Sequence, residues 1–313
     1  ILYAESLQAM DNAIYRLQYL YSNLNLQSGD YLLDYLPFYD SVYEIYFDYY
    51  LKNTADSAFV FLEDYGFISQ IDEEYRLVLD VFVGIYDYDL SDYLTTTTII
   101  TVTISPLPVS SVKDVLYGVI GDNYYFKGII EFAYSDYNEW IILNDGVNRI
   151  YVDCYGCLSY RDFVYQTGDE IELIGMRSTY SNNGYVPIVE DIAWLNVISS
   201  GHVITPTPVT MTIADILALD YTNPEVYGYY IEITGTIVFS GNPDYPSFDI
   251  HLDEYVTDDY DLQLWDDDYS TYDDRFYPLL GQTVTVRGYL IGFEYIYSTF
   301  DWILYVDTTS ISE

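Results

Sequence analysis

The chain has 313 residues, of which 50 are Asp or Glu and only 10 Lys or Arg, for a formal net charge of −40; 50% of residues are hydrophobic and 41 are Tyr. Such a surface repels phosphate backbones and anionic lipid and attracts cations, which disfavours nucleic-acid partners. The apolar content excludes a disordered acidic tail, and no apolar run approaches the roughly 20 residues needed to span a bilayer.

At this length two or three domains can each bury a core. The first residue is Ile1 rather than Met, which fits a product whose signal has been removed. Scarce Cys and Lys beside abundant Tyr, Asp and Thr point to an extracellular or cell-surface setting.

Residues 1–28 are expected to form an amphipathic helix. Tyr3, Leu7, Met10, Ile14, Leu17, Tyr21 and Leu24 recur at alternating spacings of four and three. That is an a/d-type stripe with polar residues opposite. Two readings follow: a helix packed on its own domain, or a self-assembly helix that docks on a neighbouring subunit.

Residues 29–108 turn to strand patterns: "SVYEIYFDYYL", "SAFVFLEDYGFI" and "EYRLVLDVFVGIYDYDL". The segment closes on "TTTTIITVTISPLP", a β-favouring run ended by two prolines. In pattern this resembles bacterial immunoglobulin-like modules, which implies a β-sandwich and a last strand able to augment a sheet edge.

The remainder reads as a duplication, 109–200 and 201–313, divided by the linker "SSGHVITPTPV". Each half has a strand with a central glycine (Gly128; Gly235), two more strands and a polar stretch. Then comes Gly-x-x-hydrophobic-x-hydrophobic-x-Gly, "GDEIELIG" in one and "GQTVTVRG" in the other, and a last strand. "MTIADILALD" reads as a short helix leading into the second half. The spacing resembles the OB-fold barrel, in which an early glycine lets a long strand bend. It is similar in particular to the tandem OB-like modules of Gram-positive and mollicute secreted or surface proteins. The expected class is therefore mainly β: an N-terminal helix, an immunoglobulin-like sandwich and two OB-like barrels.

Catalytic signals are sparse. Only His202 and His251 exist, and no Gly-x-Ser-x-Gly, His-Glu-x-x-His or phosphate-cradling glycine loop occurs. No catalytic residue is assigned. Cys154 and Cys157 in "CYGC" lack the second pair a zinc site needs; they read as a strand-end turn, with a short-loop disulfide as the candidate bond. Trp140, Trp265 and Trp302 are the candidate sugar-stacking platforms. Between Asp258 and Asp274 eight aspartates fall within seventeen residues: Asp258, Asp259, Asp261, Asp266, Asp267, Asp268, Asp273 and Asp274. This is either a solvated acidic loop or a site for Ca²⁺, whose oxygen ligands it supplies without the EF-hand spacing.

The resulting expectation is a non-enzymatic extracellular structural or adhesive protein that assembles with copies of itself, as a fibre subunit. The alternatives are a monomeric module for surface glycans and an OB accessory region of an extracellular nuclease.

Overall fold

The computed structural model describes residues 2–52, 67–70, 74–87, 92–133, 140–154, 164–179, 186–239, 250–253, 262–265, 276–294, 300–307 and 311. The chain divides into two compact units, Ile1–Pro108 and Val109–Glu313.

In the first unit the apolar stripe folds as one helix, α1 (Leu2–Tyr21). The chain then reverses at Asn23, whose φ of 59° is a left-handed conformation that Asn tolerates. It continues into β1 (Leu24–Gln27), the short α2 (Leu32–Tyr35), β2 (Tyr39–Asp40), β3 (Ile45–Lys52), β4 (Tyr75–Asp87) and β5 (Asp92–Ser105). These strands form one sheet, ordered β1-β5-β4-β3-β2, with β1 parallel to β5 and β4 paired to β5 along their whole length.

Alternation along β5 buries Ile100, Val102 and Ile104 and leaves Ile99 exposed. The buried set shares one core with Ile45, Phe47, Met10, Ala13 and Leu17. Among the described residues this face is covered by α1, because the three-four stripe presents an apolar face that the sheet of its own chain can bury; most of "SAFVFLEDYGFI" lies outside the described residues. At Val102–Ser105, β5 has strands on both sides; along 95–101 its neighbour among the described residues is β4 alone.

The second unit starts with β6 (Val109–Ser110) and α3 (Val112–Leu116), then β7 (Asn123–Ala133), β8 (Trp140–Asn144), β9 (Arg149–Asp153), β10 (Glu170–Thr179) and β11 (Pro187–Ser199). The same series repeats as β12 (Val209–Thr210), α4 (Ile213–Leu217), β13 (Tyr230–Phe239), β14 (Ile250–Asp253), β15 (Leu262–Trp265), β16 (Thr283–Glu294) and β17 (Phe300–Val306). Both lead-in helices carry a reciprocal capping box, Ser111 with Asp114 and Thr212 with Asp215.

Each half closes into a barrel with one strand order. It runs β7-β8-β9-β11-β10 and back to β7, then β13-β14-β15-β17-β16 and back to β13. The third and fifth strands pair in parallel in both. These are two OB-like barrels. Gly128 shows why the early glycine is needed: a Cβ there would lie 2.8 Å from Leu143 Cγ and 2.9 Å from the Asn144 carbonyl oxygen. The first strand can serve both neighbours only without a side chain at that point. Among the described residues no helix is long and apolar enough to cross a membrane.

Candidate functional site

In an OB fold the face of the second and third strands is the habitual ligand surface. In the first barrel that face is β8 and β9, and its residues are unusual. Trp140, Ile141, Ile142 and Leu143 are all buried, although strand geometry turns alternate side chains to opposite faces. Ile141, Leu143, Ile150 and Val152 fill the interior of the first barrel. Trp140, Ile142, Tyr151 and Ile188 instead join the core of the second barrel, with Tyr227, Tyr230, Tyr289 and Leu290. The two barrels are thus sealed against each other over the first barrel's β8–β9 face. Each of those large apolar side chains contributes on the order of 1.5–3 kcal/mol by leaving water.

The seam has a polar centre. The Glu131 carboxylate, at the end of β7, has a side chain with 0% exposure. Arg149 Nε donates to both of its oxygens, at 3.0 and 2.9 Å, and the Asn144 amide donates as well. The third donor comes from the other barrel: the Tyr289 hydroxyl, at 3.1 Å. A buried charge is tolerated only when paired and bonded in this way. Tyr289 also lies 5.3 Å, ring centre to ring centre, from Phe132, and the Tyr151 hydroxyl donates to the Leu290 carbonyl at 3.3 Å. Burial, and then the Glu131 charge, hold the Tyr289 hydroxyl far above the usual phenol range. Tyr230 donates to Asp307 at 3.1 Å and is pushed up to about 12, by burial first and the Asp307 charge second. At the rim, Lys113 pairs with Glu225 at 2.6 Å. The arrangement fixes one module on another.

The residues singled out in the sequence fall in several places. Met10 and Leu17 are buried on their own sheet, Ile14 and Tyr21 are partly buried there, and Leu7 is 41% exposed. Tyr3 lies in α1, and its side chain is outside the described residues. Met10, Ile14, Leu17 and Tyr21 are therefore packed on the sheet of their own chain. The outward face of α1 instead shows Tyr15 and Tyr19, 69% and 74% exposed, with rings stacked at 6.4 Å. Asp258, Asp259, Asp261, Asp266, Asp267, Asp268, Asp273 and Asp274 all lie outside the described residues. Cys154 is a free thiol buried in the first barrel's core, and Cys157 lies outside the described residues. Trp140 and Trp302 are core residues, 7% and 5% exposed, rather than platforms, while the Trp265 side chain is not among those described.

His202 has company that the sequence did not suggest. Its Nε2 lies 2.8 Å from Ser199 Oγ, which also donates to Glu170 at 2.8 Å. Both partners converge on the serine, and Glu170 approaches the same ring nitrogen, at 3.9 Å. A catalytic triad needs the acid on the opposite nitrogen, so this group pins the linker rather than activating a nucleophile. Among the cations with described side chains, Arg16, Lys113, Lys127, Arg149 and Arg287 each pair with a carboxylate. Arg177, 5% exposed, donates to the Val115 and Leu116 carbonyls at the end of α3.

Glu131, Arg149 and Tyr289 were not anticipated. The available signal was "WIIL" at Trp140: four apolar residues in a row mark a strand buried on both faces, where a barrel strand with one wet face would alternate.

No protein-family model and no curated protein matches the chain. Among solved structures, the telomere capping protein Ten1 from Saccharomyces pombe is similar at 15% identity, over 29% of this chain and 80% of that one, with a TM-score of 0.23. The Ifi202 HINa domain in complex with a 20-bp dsDNA is similar at 12% identity, over 49% and 95%, with a TM-score of 0.25. A replication protein A heterotrimer bound to ssDNA is similar at 6% identity, over 90% and 96%, with a TM-score of 0.21.

Proposed function

We propose that this chain is a non-enzymatic structural protein of the cell exterior that assembles with copies of itself, its paired barrels acting as one stiff building block. The observation that carries this reading is the seam. Trp140, Ile142 and Tyr151, which a ligand-binding OB barrel would present to a sugar or a base, are buried under the second barrel. Binding through that face would require the barrels to separate and would break the Tyr289 hydrogen bond to Glu131.

Nucleic-acid binding is further opposed by the pairing of the described surface cations, because counterion release needs unpaired positive charge facing phosphate. Exposed Tyr15, Tyr19 and Leu20 on α1, with Phe38 and Val42 nearby in sequence, supply the aromatic and aliphatic surface that protein interfaces favour. The high negative charge makes assembly depend on salt or divalent cations.

Electron microscopy and sedimentation of the purified chain, at low salt, with Ca²⁺ and with EDTA, test the reading. Regular fibres, or mass that grows with concentration, are expected in at least one condition. Dispersed single particles in all of them would overturn it and move glycan binding to first place.

A further inference from the structure

The sheet of the first unit ends differently at its two edges. One edge is the two-residue β2 with Asp40, and β3 behind it carries Asp48 and Lys52. Short length and charge are the usual means of keeping an edge strand from pairing. The other edge is β5. The parallel β1 flanks it only from Val102 to Ser105, so along Asp92–Thr101 the outer side of β5 has no strand beside it among the described residues. After Asp92 this strand carries no charge and no proline, and its pairing with β4 runs without a bulge. Its neighbour β4, by contrast, carries Arg76, Asp80 and Asp87.

The side chains along this edge are open to solvent. Thr95, Thr96 and Thr97 are exposed, and Ile99 is 56% exposed. Thr98 turns to the core side, where its hydroxyl accepts from Gln18 Nε2 at 2.8 Å and so fixes α1 beside the edge. Tyr15, one turn before Gln18 on that helix, is 69% exposed. On a chain with a formal net charge of −40, an uncharged strand with unpaired backbone donors and acceptors is where another copy meets little repulsion.

We infer that the Asp92–Thr101 edge of β5 pairs, antiparallel, with the same edge of a second copy, so that one sheet runs from copy to copy. The inference rests on the self-assembly reading and names one of its contacts. The strand is complementary to itself. A two-fold axis normal to the sheet sets one residue opposite its own copy, and β1 stops the incoming strand at Thr101. The longest pairing is therefore centred on Thr96 or on Thr97. In the first register Thr95 faces Thr97; in the second Thr96 faces Thr98 and Thr95 faces Ile99. Threonine meets threonine in both, a favourable cross-strand pair, and no charge faces a like charge. Main-chain hydrogen bonds along the lane supply the affinity. Such a contact closes on two copies, and any longer assembly joins these pairs through another surface.

The test is sedimentation velocity on the full chain over a concentration series. At about 0.15 M salt, screening acts beyond roughly 8 Å and leaves cross-strand neighbours about 5 Å apart in contact. Wild type is compared with Thr95→Glu/Thr97→Glu, which changes two exposed side chains and sets like charges directly opposite each other in either register. Val147→Glu/Val203→Glu, at residues 84% and 92% exposed, adds the same charge away from the edge. Thr95→Val/Thr97→Val keeps the strand uncharged and its β-propensity high. Wild type, the valine variant and the Val147/Val203 control are expected to gain mass with concentration alike. The Thr→Glu variant is expected to associate about tenfold or more weakly. A Thr→Glu variant that assembles like wild type overturns this edge and leaves self-assembly standing. A control or a valine variant weakened as much as the Thr→Glu variant also overturns the edge. A wild type that stays monodisperse throughout overturns both and leaves the edge to a strand of another protein.

Discussion

The two units cover their sheets in opposite ways. In the first, an open sheet is covered on one face by α1, and its central hairpin keeps the simple alternation of buried Ile100, Val102 and Ile104 with exposed Ile99. In the second, each sheet closes on itself, and the first barrel's β8–β9 face is then buried a second time by its neighbour. The difference teaches that a covered sheet writes period two into the sequence, whereas a barrel used as a building block writes short unbroken apolar runs. It also locates the buried charge: Glu131 sits where two modules meet, and among the described residues the core of the helix-covered sheet holds no such group.

The sharpest way to break the contrast is to remove one side of the buried pair. Arg149→Ala leaves Glu131 enclosed without its cation and should cost about 3–5 kcal/mol. In denaturant titration the loss should fall on the second unit's transition, with the first unit unmoved; a change below about 1 kcal/mol would mean that the cluster does not hold the barrels together.

Leu17→Ala makes the complementary cut. A buried leucine lost from the helix–sheet core should destabilise the first unit by about 2–5 kcal/mol and leave the barrels alone. Equal shifts in both units would show that the division into units is not energetic.

Tyr289→Phe is finer. It keeps the ring on Phe132 and deletes one hydrogen bond to a charged group, for a loss of about 1.5–3 kcal/mol. In the Arg149→Ala background its effect should be non-additive, since both residues serve one carboxylate.

Alkali should act on the same seam. Tyr230 is held near 12, above its usual 10.0, so its contribution is complete below pH 10 and is lost as pH rises towards 12. Tyr289 is shifted in the same direction. Stability of the second unit, followed by circular dichroism, should fall through that window, and Tyr230→Phe should blunt the fall. An unchanged pH profile in the variant would remove Tyr230 from the account.

The smallest effects belong to the matched caps. Ser111→Ala and Thr212→Ala should each cost about 1 kcal/mol, and similar values would support equal roles for the two lead-in helices.

Much of the fold was legible. "GDEIELIG" and "GQTVTVRG" do mark the fourth strands, Gly128 is where a side chain cannot fit, and "MTIADILALD" contains the lead-in helix of the second barrel. The corresponding helix at Val112–Leu116 went unread, although Ser111 and Asp114 carry the same box as Thr212 and Asp215. The reason is that "SPLPVSS" looks like a linker until the two halves are aligned. What local periodicity cannot give is the identity of the covering layer. A stripe such as Met10–Leu17 states that one face of a helix is buried, not whether a sheet, a second helix or another subunit buries it. The junction was hidden for the same reason, since Glu131 and Tyr289 are 158 residues apart.

The strap between the barrels has a mechanical consequence. The amide of His202 donates to the Gly168 carbonyl at 2.9 Å, and a Cβ on Gly168 would lie 2.6 Å from the His202 oxygen, so the strap runs flat against the barrel it leaves. Ser199 also holds the His202 ring, so the strap is anchored where it begins, while Val203 just beyond is 92% exposed. A pull along the chain would first straighten residues 203–208 and only then load the aromatic seam between the barrels.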